Sequence, residues 1–253
     1  MSLEEVLREH YYEPYGEFTH LNHRDLIKDL PDPEGGANAF HVKDGRVNHL
    51  AVTNYKIKDF PSEILTLDRL EFFYLEIGCD TVPKELFDLS YLNDVYLLLP
   101  FDEPFPEDIN ENESLQTLYV QGLELKEFPR SIVKFPQLKQ LFLYDTKISQ
   151  IPDSIGDFKE IKTIHIRGND VKRLPASLGN LQTLRRLNVS NTKIECLPDT
   201  IGNLTSLRSL GLGSNELNSI PDTIGNLTSV RSVSFSSNKL SSIPDTIGKS
   251  YSL

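Results

Sequence analysis

Chemistry-bearing residues are present in this chain, but their spacings do not suit the chemistry. His20 and His23 lie three apart, as two ligands on one helical face would. No neighbouring Cys or third His completes a metal site. Gly248-Lys249-Ser250 has the form of a phosphate-loop ending, but the earlier glycine of that loop falls on Ile243. Gly211 and Gly213 flank Leu212 as alternate positions of a strand, not as a dinucleotide turn. Neither Cys79 nor Cys196 sits in a motif that turns a thiol into a nucleophile. Asn203-Leu204-Thr205 and Asn226-Leu227-Thr228 are glycosylation acceptors in form, but both arise from a repeated G-N-L-T. The chain is therefore expected not to be an enzyme, and no metal or cofactor is expected.

Composition narrows the class. The 253 residues carry 26 Lys+Arg against 37 Asp+Glu, a net charge of −11, with 38% hydrophobic and 25% charged residues. Such values suit a folded soluble chain and exclude a collagen-like or wholly disordered one. The longest clean apolar run, Leu97-Leu98-Leu99, ends at Pro100, far short of a spanning helix. The opening Met1-Ser2-Leu3-Glu4-Glu5 lacks the basic and apolar regions of a secretory signal. Two Cys make no disulfide framework. The expected setting is a reducing, cytoplasmic compartment without membrane contact. The excess of acid, with no visible basic stripe, argues against nucleic acid. Asp102, Glu103, Glu107, Asp108, Glu111 and Glu113 crowd one stretch, read as a solvated outer face rather than a dock for a basic partner.

The elements that would position any site come from a repeat. Leu184-Arg185-Arg186-Leu187-Asn188-Val189, Leu207-Arg208-Ser209-Leu210-Gly211-Leu212 and Val230-Arg231-Ser232-Val233-Ser234-Phe235 start 23 residues apart. Earlier starts fall at Ile161, Leu138, Leu115, Leu92, Leu70 and Val47, giving nine units over 47–253, with only the unit at Leu70 one residue short. Every unit carries a Pro: Pro61, Pro83, Pro106, Pro129, Pro152, Pro175, Pro198, Pro221 and Pro244. Three residues beyond each stands Ile or Leu. Alternation in L-x-x-L-x-L is the period of a half-buried strand. The Pro, lacking an N–H, suits the start of a tight helical turn. A single unit cannot bury its own apolar residues. Stacked units bury them as one core, with parallel strands about 4.8 Å apart.

The pattern L-x-x-L-x-L-x-x-N/T-x-L-x-x-L-P-x-x-I-G-x-L resembles the leucine-rich repeat family over about four-fifths of the chain. Its 23-residue L-P-x-x-I-G form is similar to repeats of Ras-suppressor-type and other small-GTPase-associated proteins, and of prokaryotic scaffolds. The resemblance implies an α/β horseshoe solenoid, with a parallel sheet on the concave face and short helical or irregular segments on the convex one. The Asn of the motif is present as Asn169, Asn215 and Asn238, with Thr146 and Thr192 as substitutes. Tyr55, Gly78, Pro100 and Leu123 stand there in the first four units, while Asp80, Asp102 and Asn112 take apolar slots. The N-terminal half is expected to be less regular.

Residues 1–46 fall outside the repeat and read as a cap. Ser2 and Glu5 suggest a helix to about His10, with a second over Leu21–Leu30. Phe40–Val47 reads as a hairpin turning at Asp44-Gly45. At the other end the chain stops at Leu253, where a tenth unit would begin. Val233, Phe235, Leu240 and Ile247 are expected to meet an open edge, explained by truncation of a longer protein, by self-association or by a tolerated frayed end.

Function is expected on the concave face, at the second, fourth and sixth residues after each unit start. There Phe72, Tyr74, Tyr96, Leu98, Tyr119, Phe142 and Tyr144 gather in units two to five, while units seven to nine show almost only Ser, Gly and Asn. Seven such side chains amount to an exposed patch of about 600 Å², of the types that anchor interfaces. His165, Arg167 and Arg186 border it on one side and Glu76 and Asp94 on the other. Two alternatives stand beside partner binding: the rings stack only to stabilise neighbouring units, or residues 1–46 cover them. The expected function is a protein-interaction scaffold in signalling, and the resemblance implies a small GTPase or its regulator as the partner. Alternatives are a small-GTPase regulator with its activity domain outside this chain, and an extracellular recognition or adhesion domain.

Overall fold

The computed structural model describes residues 39–249 apart from 55, 80, 101–103 and 123. The helices expected within the first 30 residues lie outside the described residues. A single ten-stranded sheet runs in strict chain order. Strand β1 (Ala39–Lys43) pairs antiparallel with β2 (Arg46–Asn54). The turn between them is Asp44-Gly45, both at positive φ (52° and 74°), as the Asp-Gly signal predicts. From β2 onward every pairing is parallel: β3 (Phe72–Ile77), β4 (Asp94–Leu98), β5 (Thr117–Gln121), β6 (Gln140–Tyr144), β7 (Thr163–Arg167), β8 (Arg186–Ser190), β9 (Ser209–Gly211) and β10 (Ser232–Ser234). The register advances by one unit per strand, so Tyr74, Tyr96, Tyr119, Phe142, His165, Asn188 and Gly211 stand side by side.

The return path of most units is a turn of 3-10 helix. In eight units it opens on the repeat proline: the amide of Ile201 donates to the Pro198 carbonyl at 2.9 Å, and Ile155 repeats this with Pro152 at 3.1 Å. Proline contributes the carbonyl and needs no partner for a missing N–H. The aliphatic three residues on is thereby turned inward, and Ile132, Ile155, Ile201 and Ile224 are buried. Together with the inward residues of each strand they form one continuous core from Ile64 to Val230. Burying each such side chain contributes about 1.5–3 kcal/mol.

The units divide into two kinds at their strand exits. Asp145, Asn191, Ser214 and Ser237 (φ 49–56°) and Gly168 (φ 67°) recur every 23 residues in left-handed conformation. Among the described residues no strand exit of the first four units does so. The motif asparagine accompanies this turn. Asn215 Nδ2 donates to Val189 O of the preceding unit (2.7 Å) and to Leu212 O of its own (3.0 Å), and Asn169 and Asn238 repeat the bridge to Leu143 O and Leu212 O. Thr146 and Thr192 substitute by leaning forward, each hydroxyl donating to the Oδ1 of the next asparagine, Asn169 or Asn215.

The third unit is the most irregular. No 3-10 turn follows Pro106. Instead the Glu107 carboxylate accepts the amides of Arg130 and Ser131 (both 3.1 Å), filling orphan donors of the next unit's turn. Asn112 in its apolar slot is fully used: its amide donates to Phe87 O and Leu89 O, and its carbonyl accepts from Ser114 and Leu115. In the last unit Val233, Phe235, Leu240 and Ile247 are only partly buried against the core, and Ile243 is 52% exposed.

Candidate functional site

Alternation along each strand sends one set of side chains to the core and the other to the opposite, concave face. Phe73, Leu75, Val95, Leu97 and Leu118 join the core, whereas Tyr74, Tyr96, Tyr119, Phe142 and Tyr144 form a second apolar cluster with Ala51. Phe72 and Leu98 pack against that second cluster. The rings make a ladder across the strands. Tyr96 stacks on Tyr119 with centroids 5.7 Å apart, Tyr119 meets Phe142 at 6.0 Å and Tyr144 edge-on at 5.1 Å, and Phe72 reaches Tyr96 at 5.4 Å. His165 closes one end, edge-on to Phe142 at 5.1 Å. His49 extends the other, 5.8 Å from Phe72 and 5.4 Å from His41.

Placement on the concave face agrees with the alternation; exposure does not. Tyr74 is 1% exposed, Tyr119 3%, Tyr144 5%, and Tyr96 and Phe142 6% each. The expected open patch is therefore corrected to a buried aromatic layer. Rings one strand apart cover part of each other's faces, their polar tips are tied down, and the rings make further contacts beyond these. Tyr74 donates its hydroxyl to Glu76 (2.8 Å), Tyr119 to Gln121 (2.9 Å), and Tyr144 pairs with His165 Nδ1 at 3.0 Å. Gln121 in turn donates to Asp145 at 3.1 Å. Of the charged rim, Glu76 and His165 thus belong to the layer, whereas Arg167 and Arg186 do not. The alternative that the leading residues cover the rings concerns mostly residues outside those described.

Burial governs the titrating groups here. It pushes the Tyr144 hydroxyl far above its usual range. Burial also raises the Asp94 carboxyl, partly countered by a hydrogen bond with Thr117. His49 is lowered by burial first and by the neighbouring His41 second.

Beyond His165 the concave face opens. Arg167 and Arg186 are exposed, Asn188, Ser190 and Ser209 are half-buried, and Ser232, Ser234 and Ser236 face solvent. Among the described residues no cluster of His, Cys, Asp and Glu has the form of a metal site, and no helix is long and apolar enough to cross a membrane. Cys79 is buried and donates to Thr81 O at 3.3 Å, while Cys196 is exposed. The convex side carries a shallow polar groove beside Asn180, Gln182, Asn203 and Asn226, with no titratable lining.

One column escaped the sequence reading. The first residue after each unit start is basic in five successive units: Lys139, Lys162, Arg185, Arg208 and Arg231. Reading only the second, fourth and sixth positions passed over it, and the net negative charge concealed it. The signal was present in the same 23-residue period.

A family model described as a leucine-rich repeat region matches residues 134–252. An LRR protein of Leptospira interrogans shares the architecture at 26% identity and a TM-score of 0.57, over 73% of this chain and 53% of that one. Residues 134–252 are a leucine-rich repeat region. Its repeats are also similar to the plant peptide hormone receptor RGFR1 in complex with RGF2 (25% identity, TM-score 0.55, 86% of this chain and 34% of that one). A chain of the Toll–Spatzle complex of Drosophila agrees in fold at 21% identity and a TM-score of 0.65, over 73% of this chain and 26% of that one. The chain spans about half the length of the first of these proteins, and less of the others. No curated protein sequence matches it.

Proposed function

We propose that this leucine-rich repeat chain is a protein-interaction module that receives its partner on the concave face of its later repeats. One observation carries the reading: nine parallel strands present an unbroken face whose aromatic half is buried and whose other half, from Arg167 to Ser236, stays accessible. The buried layer acts as a stiffener. A rigid sheet lowers the ordering cost that binding otherwise incurs, and it sets Arg167 and Arg186 at fixed positions beside the polar columns. The similar structures support a binding role, since two are described as complexes, RGFR1 with RGF2 and Toll with Spatzle. Within this reading a small GTPase or its regulator is the partner to try first, on the resemblance of the repeat form. Free Cys79 and Cys196 favour a reducing, intracellular setting.

The test blocks the open face. Ser232→Trp with Ser234→Trp fills exposed concave positions, while Asn203→Trp places the same bulk on the convex side. The immobilised chain is used to capture partners from lysate. Loss of captured proteins in the concave variant, with the convex variant unchanged, is the expected result. Equal capture by all three removes the concave face as the binding surface.

A further inference from the structure

The column of Lys139, Lys162, Arg185, Arg208 and Arg231 forms a continuous stripe along the rim of the sheet. Its backbone is a ladder: the amide of Lys162 donates to Lys139 O, Arg185 to Lys162 O, Arg208 to Arg185 O and Arg231 to Arg208 O, each at 2.8 Å. The five side chains therefore leave the protein one strand spacing apart, about 4.8 Å, over roughly 19 Å in all. Arg185, Arg208 and Arg231 are exposed and Lys139 and Lys162 half-exposed, with Arg186 beside them on the concave face.

One other column of this protein, the ninth position after the unit start, is neutralised across repeats. Lys147 meets Glu124, Lys193 meets Asp170, and Lys239 meets Glu216, each one unit back. The stripe is not. Among the described residues Lys162, Arg185, Arg186, Arg208 and Arg231 have no carboxylate within 4.0 Å, and Lys139 bonds only the neutral Gln116, at 2.8 Å. Glu160 is the single acid in the adjoining column just before the unit starts of these five repeats, followed by Thr183, Ser206 and Ser229. A chain with net charge −11 has thus left a row of like charges at close spacing without internal compensation.

We propose that this stripe is a docking rail for an acidic helix of a partner protein. The inference rests on the interaction reading above and specifies the partner's chemistry. The spacing supports a helix: carboxylates at i, i+3 or i+4 recur along one helical face about every 5.4 Å, close to the strand period of about 4.8 Å. Arginine suits the role because its fork grips a carboxylate through two parallel hydrogen bonds. Nucleic acid is disfavoured. The rings that would stack on bases are buried.

The experiment uses the full chain and three probes: an Ala-rich 22-residue helical peptide with Glu along one face, the same peptide with Gln in place of Glu, and a 20-nucleotide oligothymidylate. The Glu peptide is expected to bind at low salt and weaken steadily as salt rises. Arg185→Glu, Arg208→Glu and Arg231→Glu together should weaken it by about tenfold or more. Reversing three basic residues elsewhere, Lys126→Glu, Lys147→Glu and Lys193→Glu, should change it less than about twofold. If the stripe reversal does not fold by circular dichroism, Arg208→Gln replaces it and should still weaken the peptide measurably. Three results overturn the proposal: binding of the Gln peptide as tight as the Glu peptide, equal loss from both reversals, or tighter binding of the oligothymidylate. Any of these with partner capture still lost in the concave variant removes the rail and keeps the interaction surface. Unchanged capture in that variant with the peptide still bound does the reverse.

Discussion

A methyl group at Gly202 tests how closely neighbouring 3-10 turns must approach. A Cβ there would lie 2.3 Å from the Thr223 carbonyl oxygen, 2.9 Å from Thr223 Cβ and 3.0 Å from its carbonyl carbon. Two of those atoms are backbone, so no side-chain rotation relieves the clash. Gly156, Gly179 and Gly225 meet the next unit's carbonyl oxygen at 2.5, 2.5 and 2.6 Å. Gly248 occupies the same place in its unit, but a Cβ there meets nothing within 4 Å. Overpacking of this kind costs about 1–3 kcal/mol. Replacing Gly by Ala also returns about 0.4–1 kcal/mol by restricting the unfolded chain. Gly202→Ala should therefore destabilise by about 1–2 kcal/mol, a fall of roughly 2–8 °C in Tm for a chain of this size. Gly248→Ala should leave stability unchanged or raise it slightly. Urea unfolding followed by tyrosine fluorescence suits a chain with ten Tyr and no Trp. Equal midpoints for the two variants would refute the close-approach argument, since propensity alone treats both sites alike.

Further outcomes follow from the same contacts. Asn215→Ala strands the Val189 carbonyl and the Thr192 hydroxyl, and should cost about 2–3 kcal/mol in the same unfolding assay. Tyr119→Ser removes the centre of the ring ladder and should cost about 3–5 kcal/mol, with partner capture retained once refolding conditions are met. Unaltered stability would show the layer to be a surface after all. The Asp94 carboxyl is raised by burial, so its contribution is fully present below the unfolded value of 3.8 and lost as pH rises through the folded value. Asp94→Asn should therefore stabilise the chain at neutral pH, with the gain vanishing on strong acidification. His49 is lowered, so the unfolded state takes up its proton first, and stability falls as pH drops below 6.5. His49→Gln should flatten melting temperature over that range.

The repeat, its parallel strands and the face each side chain takes were legible because period and alternation are local properties of the chain. Pro198 and Ile201 announce their turn, and Asn215 its bridge, by position alone. Exposure was not legible. Whether Tyr74 or Tyr119 meets solvent depends on rings 22 or 23 residues away and on hydroxyl partners such as Gln121, and no periodicity reports those. The third unit resisted reading for a similar reason: Glu107 and Asn112 do the work of a missing turn and a missing apolar residue through bonds to neighbouring units. The basic stripe was overlooked for a different cause. Its residues fall just outside the strand positions, where side-chain direction cannot be argued from alternation.

The left-handed exits at Asp145, Gly168, Asn191, Ser214 and Ser237 bear on how such a chain changes its length. Each of these five units closes with the same backbone geometry and offers its successor the same contact surface. Gene duplication could copy one of them into the row without disturbing either flank, and a ligand track would lengthen by a fixed increment. Among the described residues the first four units show no such common joint, so the C-terminal half is where the molecule can grow as a modular ruler.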